Sequence, residues 1–193
     1  MIQAKLANAR GPLDGLIANL RCIPPLERSE AEMAALLSDV CSRGVLRSIP
    51  LESRARSYTR TCAYYDERFE VLLLNWSPGS ASQIHDHGGQ HCWLAVIDGS
   101  FSVEGYDRLD DGTREGHAAI APRDCRVLER GDLDLRSAAV DIHRVAVAGK
   151  TGAVSLHIYA RPLQRFYVYD EFAQRCEEVR SRYDALLAPL GAY

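Results

Sequence analysis

The sequence lacks any uninterrupted apolar run of the about 20 residues that a bilayer-spanning helix needs, so a transmembrane helix is excluded. It also lacks a strong excess of charge of either sign, because 23 basic and 26 acidic side chains give a net charge of −3. We therefore expect no binding to nucleic acid or to a membrane through electrostatic attraction. The start, Met1 to Lys5, has no apolar segment of the kind that a secretory signal carries.

The six cysteines form no Cys-x-x-Cys pair, and their scattered positions do not match a small disulfide scaffold. This pattern is typical of thiols that pack as small apolar side chains in a reducing compartment. We therefore predict a cytoplasmic protein, and we expect it to be a monomer. The 193 residues, of which 47% are hydrophobic, are enough for one domain with a substantial core.

The first third of the chain predicts two helices. Apolar side chains recur at helical spacing from Pro12 to Arg21, and Pro24-Pro25 ends that pattern. Ser29 and Glu32 have the spacing of a capping box, in which each side chain bonds the backbone of the other residue. The second helix begins there and ends near Gly44.

From about residue 57 the pattern changes to short strand-like runs separated by Gly, Pro and Asp turns. Many short antiparallel strands without intervening helices indicate a closed barrel or a jelly roll. The predicted strands lie near 57–63, 69–76, 82–86, 92–97, 100–108, 116–121, 124–130, 142–148 and 153–160.

The tail, 165–183, suits either a helix or two strands around a turn at 171–174, and we favour the hairpin. We predict a single domain over residues 1–193. It consists of a helical cap at 1–55 and a β-barrel with a C-terminal hairpin at 56–185.

The most informative stretch is His85-Asp86-His87, which lies in a strand-like region. Side chains two apart leave the same face of a strand, so His85 and His87 converge while Asp86 points away. Two converging imidazoles make half of a metal site.

The spacing of Gly79, His85, His87 and Gly99 resembles the first cupin motif, with Cys92 where that motif has Glu. The resemblance implies a mainly β fold, a cupin jelly-roll barrel with the helices as an N-terminal cap. Cupins take a third metal ligand from a later strand, and His143 is the best candidate for it.

Three neutral histidines on a divalent ion leave positions open for substrate and oxygen, as catalytic sites require. Because no carboxylate is a ligand, the site keeps its full positive charge and should favour an anionic ligand such as a thiolate. Imidazole suits iron, zinc, copper and nickel, so the spacing alone does not select the metal.

Several further segments accompany the three histidines: Tyr58-Thr59-Arg60, Asn75-Trp76, His91-Cys92, Arg144-Val145 and Ser155-Leu156-His157-Ile158-Tyr159. Together with the histidines they make the sequence similar to the thiol dioxygenase family, and within it to the cysteine dioxygenases, over roughly residues 55–185. The resemblance implies a mononuclear Fe(II) held by His85, His87 and His143, with no organic cofactor. It also implies that cysteine and dioxygen react to give cysteine sulfinic acid.

Arg60 and Tyr58 are the predicted substrate-binding residues. The guanidinium of Arg60 offers a fixed fork of donors that can grip a carboxylate at two points, which would reject thiols that lack an acid group. Tyr58 is two residues away, so it shares a strand face with Arg60 and could line the pocket.

Ser155, His157 and Tyr159 are predicted to share the interior face of one strand, as catalytic residues together with Cys92. Tyr159 could place its hydroxyl beside the bound thiolate and oxygen, while His157 holds that hydroxyl and Ser155 supports His157. By resemblance to mammalian members of the family, a thioether bond could join Cys92 to Tyr159.

The chain departs from the mammalian pattern after Tyr159, where Ala160-Arg161-Pro162 replaces Ser-Pro-Pro. Arg161 or Arg165 could therefore reach the pocket and alter the choice of substrate. Trp93 is another bulky variation near the site.

Three other functions stay open. One is dioxygenation of another thiol acid, 3-mercaptopropionate or mercaptosuccinate, although 3-mercaptopropionate enzymes tend to have Gln in place of Arg60 and to lack Cys92. Another is a non-catalytic cupin that senses a metal or small ligand, although no DNA-binding helix pair or basic patch is present. The last is a zinc or manganese isomerase, which usually retains the Glu that Cys92 replaces.

Overall fold

Two helices precede a set of twelve strands in the computed structural model. It describes residues 11–44, 46, 49, 51–137 and 141–187. Helix α1 is Gly11–Cys22, a 3-10 turn is Pro25–Glu27, and helix α2 is Glu30–Ser42. The strands are β1 Tyr58–Tyr65, β2 Glu70–Trp76, β3 Ile84–His85, β4 Cys92–Asp98, β5 Ser100–Arg108, β6 Ile120–Glu129, β7 Leu133–Arg136, β8 Ile142–Val147, β9 Ala153–Tyr159, β10 Arg165–Asp170, β11 Arg175–Arg180 and β12 Ala185–Leu186.

The strands form two six-stranded sheets. The first sheet has the order β12-β1-β2-β9-β4-β7, and the second has the order β11-β10-β3-β8-β5-β6. An apolar core that contains Leu72 and Leu94 from the first sheet and Phe101 and Val145 from the second lies between them. The predicted mainly β jelly roll is thus confirmed, and among the described residues no strand pair joins the two sheets into a closed barrel.

The first sheet is buried on both faces, which explains why its central strands are almost continuously apolar. Side chains alternate along β2, so Leu72 faces the second sheet while Leu73 packs with the helices. Strand β9 alternates in the same way, with Leu156 toward the helices and Tyr159 toward the space between the sheets. The helices therefore support the site from behind.

The helical cap packs through apolar side chains onto the outer face of the first sheet. Leu13 and Leu20 of α1 and Met33 and Leu37 of α2 are fully buried there. The capping box is confirmed: Ser29 Oγ accepts from the backbone N–H of Glu32, and the Glu32 carboxylate accepts from that of Ser29. Residues 1–10 of the predicted cap lie outside the described residues.

The predicted strands differ from the structure in two respects. The separate runs predicted at 116–121 and 124–130 are replaced by one edge strand, β6, in which a bulge at Arg123 accommodates Pro122. Strands β7 and β12 were not predicted, since β7 carries two charged side chains and β12 has only two residues.

The predicted hairpin in the tail is confirmed, because β10 and β11 pair in antiparallel register.

Strand β12 covers the outer edge of β1 in a parallel pairing. The backbone N–H of Asp184 donates to the carbonyl of Arg60, and the Asp184 carboxylate accepts from the backbone N–H of Arg60 at 2.8 Å. Leu187 N–H donates to the carbonyl of Cys62. The segment after the hairpin thus fixes the strand that carries Arg60.

Neither helix in the described part of the chain has the length and apolar character that crossing a membrane requires.

Replacing Ser29 by Ala should lower the free energy of unfolding by about 1 kcal/mol, because the N–H of Glu32 loses its acceptor. Urea denaturation of the two proteins measures the difference. The control is Ser38→Ala at an exposed position within the same helix, which should be neutral or slightly stabilising. Equal losses in both variants would contradict a capping role for Ser29.

Candidate metal centre

Three histidines converge in the space between the sheets. His85 ends β3 and pairs directly with His143 on β8, and His87 follows two residues after His85. One nitrogen from each imidazole lies within 4.8 Å of the other two. The period of two in an extended chain thus brings His85 and His87 to the same side, and the antiparallel pairing supplies the third ring.

The imidazoles of this cluster are held as neutral bases. His87 and His143 are each 3% exposed, and burial, followed by the nearness of His85, holds both pKa values well below the ordinary value for histidine. Burial also lowers the pKa of His85. Neutral rings can donate lone pairs to a cation without first losing a proton.

The hydrogen bonding of the cluster fits a metal ion. Both nitrogens of His143 and Nδ1 of His87 are buried without a hydrogen-bond partner among the described residues. A buried polar atom without a hydrogen-bond partner destabilises the folded protein. A divalent cation would give such a nitrogen a partner by binding its lone pair. Nδ1 of His85 lies 2.9 Å from the Gln83 carbonyl, which fixes a proton on Nδ1 and leaves Nε2 free.

A small cavity of about 50 Å³ opens beside the histidines, with room for roughly three to five waters. Arg60 contributes its guanidinium, whose Nε and Nη2 are buried without a hydrogen-bond partner among the described residues. Tyr58 stacks on Trp76 with ring centroids 4.2 Å apart. The cavity is lined by Tyr58, Arg60, Leu74, Trp76, Ser82, Gln83, His85, His143, Val145, His157, Tyr159, Leu163 and Phe166.

A buried polar chain runs along the inner face of β9. The indole N–H of Trp76 donates to Ser155 Oγ at 2.9 Å, and Ser155 Oγ lies 2.9 Å from His157 Nε2. Because Ser155 accepts from Trp76, its own hydroxyl hydrogen is free to donate to His157. Burial lowers the pKa of His157 to about 3, so this ring is neutral.

Cys92 and Tyr159 are direct partners across β4 and β9. Burial raises the pKa of the Cys92 thiol to about 12 and that of the Tyr159 hydroxyl well above its ordinary value, so both side chains are neutral. The sulfur also lies 4.0 Å from Nδ1 of His157. The two nitrogens of His157 therefore face Ser155 and Cys92, while its ring is nearly parallel to that of Tyr159 at 6.2 Å.

The structure thus brings together all nine site residues predicted from the sequence, whereas the three variable positions lie elsewhere. Arg161 is exposed, and Arg165 forms an ion pair with Glu178 at 2.7 Å. Trp93 packs in the core beneath the helices and stacks on His91.

Asp86 points away from the cavity, as predicted, but it has a structural task that the sequence did not reveal. Its carboxylate accepts from the backbone N–H groups of Gly88 and Tyr167 and from the hydroxyl of Tyr169. It therefore ties the segment between two of the histidines to β10. An acidic residue between paired histidines is a signal that could have predicted such an anchor.

A sequence model of the family described as cysteine dioxygenase type I matches residues 51–172, a range that contains every candidate site residue. The chain belongs to this family. The match runs from the segment before β1 to the turn after β10, so it includes five strands of each sheet and leaves out β11 and β12.

Curated members of the family include cysteine dioxygenase type 1 of Danio rerio, which is 31% identical over 105 residues, or 54% of this chain and 51% of that protein. The human protein of the same description is 29% identical over 105 residues, with 54% and 50% covered. The chain thus spans about half the length of the curated relatives it matches. A Klebsiella pneumoniae protein with a double-stranded β-helix domain aligns with a TM-score of 0.46 and 15% identity over 62% of this chain and 90% of that chain.

Replacing Gly88 by Ala should destabilise the protein and weaken Co(II) binding. Gly88 has φ of +60°, and a Cβ there would lie 2.4 Å from the carbonyl oxygen of Arg165. Either β10 or the segment carrying His87 must then move. Urea denaturation and Co(II) titration measure the two effects.

Gly89→Ala is a matched control, because Gly89 has φ of +74° but no atom within 4 Å of the added Cβ. Its free energy of unfolding should fall only by the roughly 1–2 kcal/mol that a left-handed backbone costs a residue with a Cβ. Its affinity for Co(II) should be unchanged. If the two variants behaved alike, contact with β10 would not be what constrains this turn.

Proposed function

We propose that the protein is an Fe(II)-dependent cysteine dioxygenase, which adds both atoms of O2 to the thiol of L-cysteine to give cysteine sulfinic acid. The observation that carries the proposal is a cluster of neutral histidines beside a cavity in which Arg60 has unpaired guanidinium nitrogens. Membership of the family supports the same reaction. The reaction balances without an organic cofactor, because one thiol and one O2 give one sulfinic acid.

In this proposal, His85, His87 and His143 hold the iron. Bound Fe(II) would coordinate the substrate thiolate and provide the electrons that activate dioxygen. The ligand set has no carboxylate, which keeps the full positive charge of the ion available to an anionic thiolate.

Arg60 orients the substrate through its carboxylate. Its Nε and Nη2 form one edge of the guanidinium, and two parallel N–H···O bonds can form there with a carboxylate. Tyr58 lies on the same strand face, and its ring limits the space beside Arg60. The small cavity favours a compact amino acid over a larger thiol.

Tyr159 and His157 line the cavity, and the Tyr159 hydroxyl is the group that would act on the substrate. In its neutral form the Tyr159 hydroxyl can donate a hydrogen bond to charge that develops on substrate or oxygen. Trp76 and Ser155 hold His157 in place, and the parallel ring of His157 limits the positions open to Tyr159.

The proposal includes a thioether between Cys92 and Tyr159, supported by their direct pairing across β4 and β9. Joining the sulfur to a ring carbon removes the thiol hydrogen and one ring hydrogen, that is, two protons and two electrons. Dioxygen, the oxidant of the main reaction, accepts them. The bond would fix the Tyr159 ring against the metal centre.

We further propose that the protein acts as a monomer in the reducing cytoplasm. One chain supplies the three histidines and Arg60, and no disulfide joins any two cysteines of the described residues. With a net charge of −3, its partners are small molecules rather than nucleic acid.

The first experiment is oxygen uptake by anaerobically iron-loaded protein, with L-cysteine and 3-mercaptopropionate in parallel and products identified by mass. We expect cysteine to be preferred and to gain two oxygen atoms. Preference for 3-mercaptopropionate would overturn cysteine as the substrate while leaving the iron site. Iron-loaded protein that turned over neither thiol would overturn cysteine as the substrate and would favour another thiol acid or a sensor role.

Arg60→Gln should lower kcat/KM for L-cysteine about 10–100-fold, as expected for loss of charge-assisted hydrogen bonds worth about 1.5–3 kcal/mol. Turnover of cysteamine, which has no carboxylate, should change much less. The control is Arg54→Gln, since the Arg54 side chain is 63% exposed and pairs with Asp184. A similar loss for both thiols would show that Arg60 does not read the carboxylate.

The thioether predicts a mass decrease of two hydrogen atoms after aerobic incubation of iron-loaded protein with cysteine. Peptide mapping should place the loss on a cross-linked fragment containing Cys92 and Tyr159, and Cys92→Ser should abolish it. The control is Cys62→Ser, which changes a buried thiol on a different strand. An unchanged mass in fully active protein would exclude the cross-link.

A further inference from the structure

Strand β7 places charged side chains in the interior of the protein. Asp134 is fully buried and Arg136 is 7% exposed, whereas Leu133 and Leu135, on the opposite face, pack against the core beneath the helices. The usual pattern of an amphipathic strand would bury the leucines and leave the charges outside. A buried carboxylate at such a position needs an explanation, because removing its charge from water is expensive.

Asp134 is held by two arginines. Its Oδ1 accepts from Nη2 of Arg126, and its Oδ2 accepts from Nε of Arg136 at 2.8 Å. Arg136 is held in turn by Asp141 through Nη1. Two guanidinium groups and two carboxylates therefore pair with one another, and each oxygen of the buried Asp134 side chain accepts from an arginine.

The same oxygen that accepts from Arg136 lies 3.9 Å from Nδ1 of His143. Neither nitrogen of His143 has a hydrogen-bond partner among the described residues. A carboxylate beside Nδ1 favours a proton on that nitrogen, because the N–H dipole then points its positive end at the negative charge. Nε2 is then left with the lone pair.

We propose that Asp134 is a positioning residue that selects the Nδ1–H tautomer of His143 and so makes Nε2 its metal-binding atom. The carbonyl of Gln83 performs this task for His85. A carboxylate performs it more strongly, since its charge also raises the basicity of the ring as a ligand. This inference rests on the proposed function only in the identity of the metal. The arrangement of the side chains is independent of that function.

Asp134→Asn should weaken Co(II) binding about 10–100-fold and alter the visible absorption spectrum of the Co(II) complex. The substitution keeps the volume and one acceptor for Arg136 but removes the charge that faces His143. Chelator competition measures the affinity. A separate readout in metal-free protein uses ¹⁵N-labelled histidine, in which NMR correlations distinguish the two neutral tautomers of His143.

Asp141→Asn is the matched control, because it also removes a carboxylate partner of Arg136, whereas the carboxylate recorded beside His143 is that of Asp134. It should keep the affinity for Co(II) and the wild-type tautomer of His143. Equal weakening by both variants would overturn the proposal, since the effect would then come from the charge balance of Arg136. Wild-type affinity and tautomer in Asp134→Asn would overturn it as well.

The wild-type NMR measurement tests the proposal even if Asp134→Asn does not fold. An Nε2–H tautomer of His143 in metal-free wild-type protein at neutral pH would overturn it, and His143→Gln identifies the signal by its loss. Neither readout uses cysteine or oxygen. Failure of the dioxygenase assay and failure of this inference are therefore separate results.

Discussion

Burial of three imidazoles between two apolar sheet surfaces is the constraint on which the rest of the site depends. Desolvation keeps His87 and His143 neutral, and neutral rings with unpaired nitrogens suit a cation. For the same reason, a charged group buried near the site costs free energy unless a group of opposite charge pairs with it. Arg136 is matched within the protein by Asp134 and Asp141, whereas the inner edge of the Arg60 guanidinium is left for a ligand.

The first sheet is a single layer of strands that separates the helices from the cavity. Along β9, side chains that face the cavity alternate with side chains that face the helices. His157 is therefore flanked in sequence by Leu156 and Ile158, both fully buried beneath α1 and α2. The packing of the helices and the position of the candidate site side chains are set by the same backbone, so a change in one also changes the other.

The site was predictable where it follows the period of an extended strand. A spacing of two residues predicts that His85 and His87 share one face, and that Tyr58 and Arg60 share another. The third ligand, His143, was predicted only from the resemblance to a known motif. The charged inner face of β7 was not predictable, because Asp134 and Arg136 reverse the usual pattern and are stabilised by partners distant in sequence. The single strand β6 was missed because a bulge at Arg123 allows Pro122 to continue an edge strand.

The pairing of β12 with β1 has a consequence for how the cavity keeps its shape. Without β12, β1 would be an edge strand with free backbone groups, open to pairing with another chain and free to shift in register. A shift by one residue would turn Arg60 away from the cavity and bring Thr59 or Thr61 into its place. The position of the Arg60 side chain in the cavity therefore depends on residues more than 120 positions later in the chain, where Asp184 binds the backbone of Arg60 and β12 pairs with β1.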